Sequence, residues 1–79
     1  MNNETFAKIV DIICDELDIS ANDITENSKI VSDLDVNSLE LLNVIMVVEE
    51  EFGITLEENR LRKIITVGDL VKYVDELNK

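Results

Sequence analysis

Apolar side chains recur at helical spacing near the start of the chain. Five of them fit the i, i+3, i+4, i+7 pattern of one helix face: Phe6, Ile9, Val10, Ile13 and Leu17. This pattern predicts a helix over about residues 3–17. A polar stretch follows, over about residues 18–36. Its scattered apolar residues should anchor it as an ordered loop rather than a flexible linker: Ile19, Ile24, Ile30, Val31 and Leu34.

A second helical pattern begins directly after this loop, at Ser38, and continues to Phe52. Asn37 is a favourable N-cap, and Glu40, three residues later, completes a variant of the capping box. Gly53 fits the left-handed position at which many helices end. The stripe that should face the core consists of Leu41, Ile45, Val48 and Phe52.

Two shorter patterns complete the chain. A short helix is predicted at about residues 58–63, and Thr66 with Asp69 forms a capping pair for the last helix. The apolar face of that last helix consists of Leu70, Val71, Val74 and Leu77. The predicted fold is all-α: a small four-helix bundle with three main helices and a short third one, in a single domain over residues 1–79.

The helix after Ser38 has a second apolar stripe on another side. Leu39, Leu42 and Met46 recur at i, i+3 and i+7. A helix that is apolar on two sides is either fully buried or uses its second side for a partner. Burial under the 18–36 loop is the alternative, but we favour a docking surface because Met adapts to different contours. The acidic residues that flank the stripe are Glu40, Glu49 and Glu50.

Composition limits the chemistry that the chain can perform. The 79 residues include no His and a single Cys. A classical hydrolase or a zinc site is therefore hard to build, and an intramolecular disulfide cannot form. The first residues lack the pattern of a signal peptide, and no apolar run is long enough to span a bilayer. These features predict a cytoplasmic protein.

Charge is large and unevenly distributed. The formal net charge is −11, and the first 59 residues contain 15 of the 18 acidic side chains but only two basic ones. The last 20 residues contain five basic and three acidic side chains. Nucleic acid and anionic membranes should be repelled, whereas basic proteins or cations should be attracted. The asymmetry is consistent with a face adapted to a partner, although net charge also serves solubility alone.

Ser38 occupies the first turn of the predicted second helix. Unpaired N–H groups and the positive end of the helix dipole favour a phosphate at such a position. Without His, no local base can activate this hydroxyl, so Ser38 is a better substrate than nucleophile. The alternative is an ordinary serine at a helix start with no chemistry.

A calcium site is the second interpretation of the same region. Asp33, Asp35 and Asn37 match positions 1, 3 and 5 of an EF-hand loop. Position 6 should then be Gly but is Ser38, and position 12 should be Glu but is Val44. These two departures remove the turn glycine and the bidentate ligand of a high-affinity site.

Three segments together resemble the acyl carrier proteins. They are the serine segment Leu34–Leu41, the acidic helix end Glu49–Ile54 and the closing stretch Ile65–Val74. The resemblance implies a carrier rather than an enzyme, with a 4′-phosphopantetheine arm from coenzyme A attached to Ser38 by a phosphopantetheinyl transferase. The thiol of the arm would hold acyl groups as thioesters for the enzymes of fatty acid or related biosynthesis. We expect a monomer with no metal site.

The resemblance also implies roles for two surfaces. The helix that begins at Ser38 would be the recognition helix, with Glu40, Glu49 and Glu50 facing basic patches on partner enzymes. The acyl chain would lie between the second and third helices, against Ile45, Val48, Leu56, Leu61, Ile64 and Tyr73. The motif does not specify the cargo, so an aminoacyl or D-alanyl carrier remains open. So does an adaptor that has no prosthetic group.

The chain departs from the family at two places. Asp35 stands where the family usually has Gly, and Asn37 stands where it usually has Asp. Asn37 keeps the capping function but has no charge for a cation of the modifying enzyme, a loss that Asp35 or Asp33 can offset in part. The third helix has Arg60, Arg62 and Lys63 in place of acidic residues, which indicates either internal ion pairs or a specialised partner set.

Overall fold

The computed structural model describes residues 3–78 and contains four α-helices within them. They are α1 (Asn3–Leu17), α2 (Ser38–Phe52), α3 (Glu58–Leu61) and α4 (Val67–Leu77), with a single 3₁₀ turn at Ala21–Asp23. The expected all-α four-helix architecture is confirmed. The short third helix ends two residues earlier than predicted, because residues 62–63 form a turn. Residues 1, 2 and 79 of the expected single domain lie outside the described part of the chain.

The core lies between the three long helices. Its most completely buried side chains come from α1, α2 and α4, and α3 has no buried residue: Ile9, Ile13, Val48, Val67, Leu70, Val71 and Val74. Burial of branched aliphatic side chains at this density is the main favourable term in the folding of so small a domain. Helix α3 therefore lies on the surface of a bundle whose core is formed by α1, α2 and α4.

Hydrogen-bonded caps set where the long helices begin and end. The Asn37 side chain accepts the Glu40 N–H at 2.8 Å, and the Glu40 carboxylate accepts the Asn37 N–H at 3.2 Å. The same reciprocal pair joins Thr66 and Asp69 at the start of α4. Gly53, with a φ of 64°, ends α2 in the left-handed conformation that glycine adopts without strain.

The 18–37 connection is ordered, as its apolar anchors predicted. Ile24 and Ile30 are buried, and main-chain bonds join the connection to the start of α4. Val67 N–H donates to the Ser28 carbonyl at 2.9 Å, and Gly68 N–H donates to the Glu26 carbonyl at 2.8 Å. A Cβ at Gly68 would lie 2.8 Å from that carbonyl oxygen, so the close approach requires glycine.

Two predictions of burial are wrong. Val31 is 62% exposed because the chain reverses there: the Asp33 and Leu34 N–H groups both donate to the Lys29 carbonyl. Leu77 is 41% exposed because it lies in the last turn of α4, beyond the core. The buried apolar residues that sequence reasoning missed include Ile12, Val36 and Val67, with exposures of 8%, 3% and 0%.

Candidate functional site

Ser38 is the first residue of α2 and its side chain is exposed. The preceding Asn37 is extended, with φ −83° and ψ 173°, so the helix starts abruptly at Ser38. Within the described residues, the Glu40 N–H is taken by the cap but no acceptor is found for the Ser38 or Leu39 N–H. Two main-chain donors and a hydroxyl therefore converge on one exposed helix end, which suits an anionic group.

An apolar cleft opens directly beside Ser38, between α2 and α3, with a volume of about 360 Å³. We call it the α2–α3 cleft. Five of its eight lining residues are aliphatic, and the others are Ser38 and the oppositely charged pair on α3 and the turn after it: Ser38, Leu41, Leu42, Ile45, Glu58, Leu61, Arg62 and Ile64. A hydroxyl at the mouth of an apolar cleft is the geometry that a tethered apolar cargo needs.

Half of the residues predicted for an acyl pocket line this cleft. Ile45, Leu61 and Ile64 lie on its walls. The other three predicted residues do not line it: Val48, Leu56 and Tyr73 are buried in the core, with exposures of 0%, 6% and 3%. They lie there because their side chains fill the space among the helices, which leaves no room for a ligand in this conformation.

Sequence reasoning missed four residues of the cleft wall. The sequence predicts Leu41 in the core and Leu42 in the docking stripe, yet both line the cleft. Helical spacing contains the signal, because Leu41, Leu42 and Ile45 lie three, four and seven positions after Ser38 and so share its face. No comparable signal marks Glu58 or Arg62, which reach the cleft only through the placement of α3.

The second apolar stripe of α2 is open to solvent. Leu39 is 69% exposed, and Leu42 and Met46 are each 53% exposed, so the alternative in which the stripe packs under the 18–36 loop is wrong. An exposed row of large apolar side chains on so small a surface is typical of a docking site. Leu42 belongs both to this stripe and to the α2–α3 cleft.

The three acidic residues beside the stripe differ in whether their carboxylates already accept hydrogen bonds within the protein. Glu50 is exposed. Glu40 accepts the Asn37 N–H at 3.2 Å, and Glu49 accepts the Leu56 N–H at 2.9 Å. Glu40 and Glu49 therefore have structural roles that would compete with a partner, whereas Glu50 has no hydrogen bond or ion pair among residues 3–78.

The residue at the usual glycine position has a glycine-like backbone. Asp35 is exposed and has a φ of 55°, in the left-handed region. Most side chains are strained there, but Asp and Asn are the non-glycine residues that adopt it most readily. The backbone conformation that glycine would supply is thus kept, and Asn37 performs the cap that Asp would perform.

The geometry does not favour a calcium site. The three oxygen-bearing side chains of the proposed loop do not share one ligand position. Asp33 accepts the Lys29 N–H at 2.9 Å, Asn37 caps α2, and Asp35 is exposed. In residues 3–78, no group of three or more His, Cys, Asp or Glu side chains could hold a metal ion. No helix in that part of the chain is long and apolar enough to cross a membrane.

Two of the three unusual basic residues after Glu57 form internal ion pairs. Arg60 lies 2.7 Å from Glu76 of α4, and Arg62 lies 3.1 Å from Glu58. The hydrogen bond to Glu76 is the main reason that the pKa of Arg60 is raised. Lys63 has no ion pair within the described residues. The sequence indicates internal pairing with Glu57, Glu58 or the acids of the second helix; Arg62 pairs with Glu58, whereas Arg60 pairs with Glu76 of α4 instead.

Comparisons with known proteins agree with this geometry. The phosphopantetheine attachment site family matches residues 7–74. The acyl carrier protein of a Picosynechococcus strain is 42% identical over 96% of this chain and 94% of its own length. That of Thermotoga maritima is 38% identical over 92% and 90%. The solved acyl carrier protein from Enterococcus faecalis superposes with a TM-score of 0.78 at 31% identity, covering 94% of each chain.

A four-helix bundle with an exposed serine at the start of α2 and an apolar cleft beside it defines a phosphopantetheine-dependent carrier. The chain belongs to the acyl carrier protein family. Members of this family carry a 4′-phosphopantetheine group, and they are carriers rather than enzymes. They interact with a phosphopantetheinyl transferase and with biosynthetic enzymes.

Proposed function

We propose that this protein carries acyl groups as thioesters on a 4′-phosphopantetheine arm attached to Ser38. The supporting observation is that the exposed Ser38 hydroxyl and five aliphatic side chains line one cleft. The aliphatic lining favours an alkyl chain over an aminoacyl or D-alanyl cargo, because a charged amine would lose hydration there and the one carboxylate of the cleft, that of Glu58, is already paired with Arg62. The carrier would serve fatty acid or related biosynthesis as a single cytoplasmic domain.

The residues present fit the arm. The Ser38 and Leu39 N–H groups can donate to the phosphodiester oxygens, and the α2 dipole favours their negative charge. The arm supplies a thiol that holds the acyl group. Because the chain has no His, the transferase and its metal must activate the Ser38 hydroxyl. Asp35 and Asn37, both exposed, lie within three residues of Ser38 and would belong to the surface that this enzyme contacts.

Intact mass measures this assignment directly. After co-expression with a phosphopantetheinyl transferase, we expect the wild-type protein to gain one phosphopantetheine. Ser38→Ala should gain none. Ser32→Ala is the matched control, since Ser32 is an exposed serine of the connection that precedes α2 and its substitution should leave the modification intact. An unmodified wild-type protein across several transferases would refute the carrier function for this chain.

Partner enzymes would dock on the exposed stripe of Leu39, Leu42 and Met46, with basic residues of the partner facing the acidic residues of α2. Glu50 gives the clearest test because, within the described residues, its carboxylate takes part in no hydrogen bond or ion pair. Glu50→Lys should slow modification by the transferase and reduce its dependence on salt, with an unchanged free energy of unfolding. Glu16→Lys on α1 is the control for net charge. If both reversals have the same effect, α2 is not the recognition helix.

A further inference from the structure

The outer wall of the α2–α3 cleft is held in an unusual way. Leu61, Arg62 and Ile64 form that wall, but α3 itself contributes no buried residue to the core. Its N-cap position, Glu57, makes no side-chain cap bond, and the helix has only four residues. Leu61 and Ile64 are only partly buried where they pack against the core, and a four-residue helix has little stability of its own, so other contacts must help to fix the wall of the cleft.

Those contacts converge on Tyr73 of α4. The Arg60 guanidinium carbon lies 3.9 Å from the centre of the Tyr73 ring, and Arg60 also lies 2.7 Å from Glu76. The Glu57 N–H donates to the Tyr73 hydroxyl at 2.8 Å. Tyr73 is buried at 3% exposure, so its ring is a fixed platform. We call Arg60, Tyr73 and Glu76 the α3–α4 clamp.

We propose that Arg60 is a positioning residue for the cargo: by holding α3 on Tyr73 and Glu76, it sets how tightly the α2–α3 cleft encloses an acyl chain. The Arg60 side chain contacts α4 and does not line the cleft. The Arg60 side chain is 45% exposed, so its contacts can break and form again without opening the core. The inference rests on the proposed function, since it names what governs the site for the cargo.

Amide hydrogen exchange of the unmodified protein tests the clamp independently of the arm. Arg60→Met keeps much of the aliphatic stem but removes the stacking and the ion pair. We expect exchange over residues 57–64 to rise about tenfold relative to α1 and α4. Glu76→Gln removes only the ion pair and should give a smaller rise. Lys63→Met is the matched control, since it removes the same charge from a side chain that neither lines the cleft nor forms an ion pair in residues 3–78.

Thioester protection tests the consequence for the cargo. The wild-type protein and Arg60→Met are loaded with an acetyl or an octanoyl group, and cleavage of the thioester by hydroxylamine is timed. We expect the octanoyl thioester to be protected in the wild type, because its chain enters the cleft, and to react severalfold faster in Arg60→Met. The acetyl thioester should react at one rate in both, since it is too short to enter the cleft.

The two failures are distinguishable. If Arg60→Met leaves exchange over residues 57–64 unchanged, the clamp does not hold α3 and the inference is wrong, even if the protein carries acyl groups. If exchange rises but octanoyl protection is unchanged, α3 does not control enclosure, and the inference is again wrong. If the wild-type protein accepts no arm, the proposed function fails, and faster exchange in the variant still supports the positioning of α3.

Discussion

The two connections on either side of α2 are both irregular, but they are held in different ways. Residues 18–37 contribute three side chains with exposures of 6% or less, Ile24, Ile30 and Val36. Residues 53–66, which include α3, contribute only Leu56. The first connection is part of the core, whereas most of the second lies on its surface.

Their hydrogen bonds differ in the same sense. Main-chain bonds tie the first connection to the start of α4, through the Ser28 and Glu26 carbonyls. Side chains tie α3 to α4, through Arg60 and Tyr73. Opening the first connection would expose apolar side chains and break two main-chain hydrogen bonds, whereas separating α3 from α4 would expose less apolar surface. The bundle is thus firm around Ser38 and adjustable at the opposite wall of the cleft.

Ile30→Ala and Ile64→Ala should show the largest difference between the two connections. Ile30 is 4% exposed, so its truncation should lower the free energy of unfolding by about 2–4 kcal/mol. Ile64 is half-buried at the cleft, and its truncation should cost about half as much. Urea unfolding measures both. Equal losses would mean that the second connection is as much a part of the core as the first.

Gly68→Ala should weaken the main-chain link between the first connection and α4. The added methyl group would lie 2.8 Å from the Glu26 carbonyl oxygen, and relieving that contact should cost about 1–3 kcal/mol. Higher helix propensity returns about 1 kcal/mol, so a modest net destabilisation is expected. Lys72→Ala, at an exposed position of the same helix, is the control and should change stability little. A net stabilisation at position 68 would show that the link yields easily.

Asp35→Gly should stabilise the first connection, whereas Gly68→Ala should weaken its link to α4. Glycine adopts a φ of 55° without the side-chain strain of aspartate, and the gain should be about 0.5–1 kcal/mol in thermal or urea unfolding. Ser32→Gly is the control, because its φ is not positive and glycine there adds only freedom to the unfolded chain. A loss of stability in Asp35→Gly would mean that this carboxylate has an unrecognised structural role.

Acid should weaken the Thr66–Asp69 cap at the end of the second connection, and this is the smallest of the four expected changes in stability. Hydrogen bonds from the Ile65 and Thr66 N–H groups lower the pKa of Asp69. A carboxyl whose pKa is lower in the folded state stabilises the protein above its unfolded pKa, and this contribution is lost as the pH falls through the folded pKa. The stability difference between the wild type and Asp69→Asn should therefore shrink in acid. A constant difference from neutral to acidic pH would contradict this role of the charge.

The sequence predicted the parts of the fold that local chemistry determines. Asn37, Gly53 and Thr66 mark the helix ends because a cap or a left-handed turn requires few residue types, and the bounds of α2 and the start of α4 followed from them. Burial in the first connection was harder to predict, because irregular chain has no period. Val31 and Val36 have the same side chain five positions apart, yet only Val36 is buried.

The candidate site likewise has one side that local sequence patterns predict and one side that they do not. The α2 side of the cleft could have been read from helical spacing, since Leu41 and Ile45 lie one and two turns after Ser38 on its face. The α3 side depends on how Arg60 stacks on a tyrosine 13 positions further along the chain, which no local pattern encodes. Departures from the family motif were visible at once in the sequence, but the left-handed backbone at Asp35 explains how the chain accommodates one of them.

The hydrogen bond from the Ile30 N–H to the Ile65 carbonyl, at 2.9 Å, has a further consequence. It joins the chain just after α3 to the same connection that leads to Ser38, and the bridge between Lys29 and Thr66 adjoins it. If α3 moves away from α2, the chain after α3 would stay fixed at residues 65–66, where these main-chain contacts hold it. The cleft could then release the acyl chain to an enzyme while Ser38 stays in place. The attachment point and the docking surface on α2 would keep their relative positions throughout the transfer.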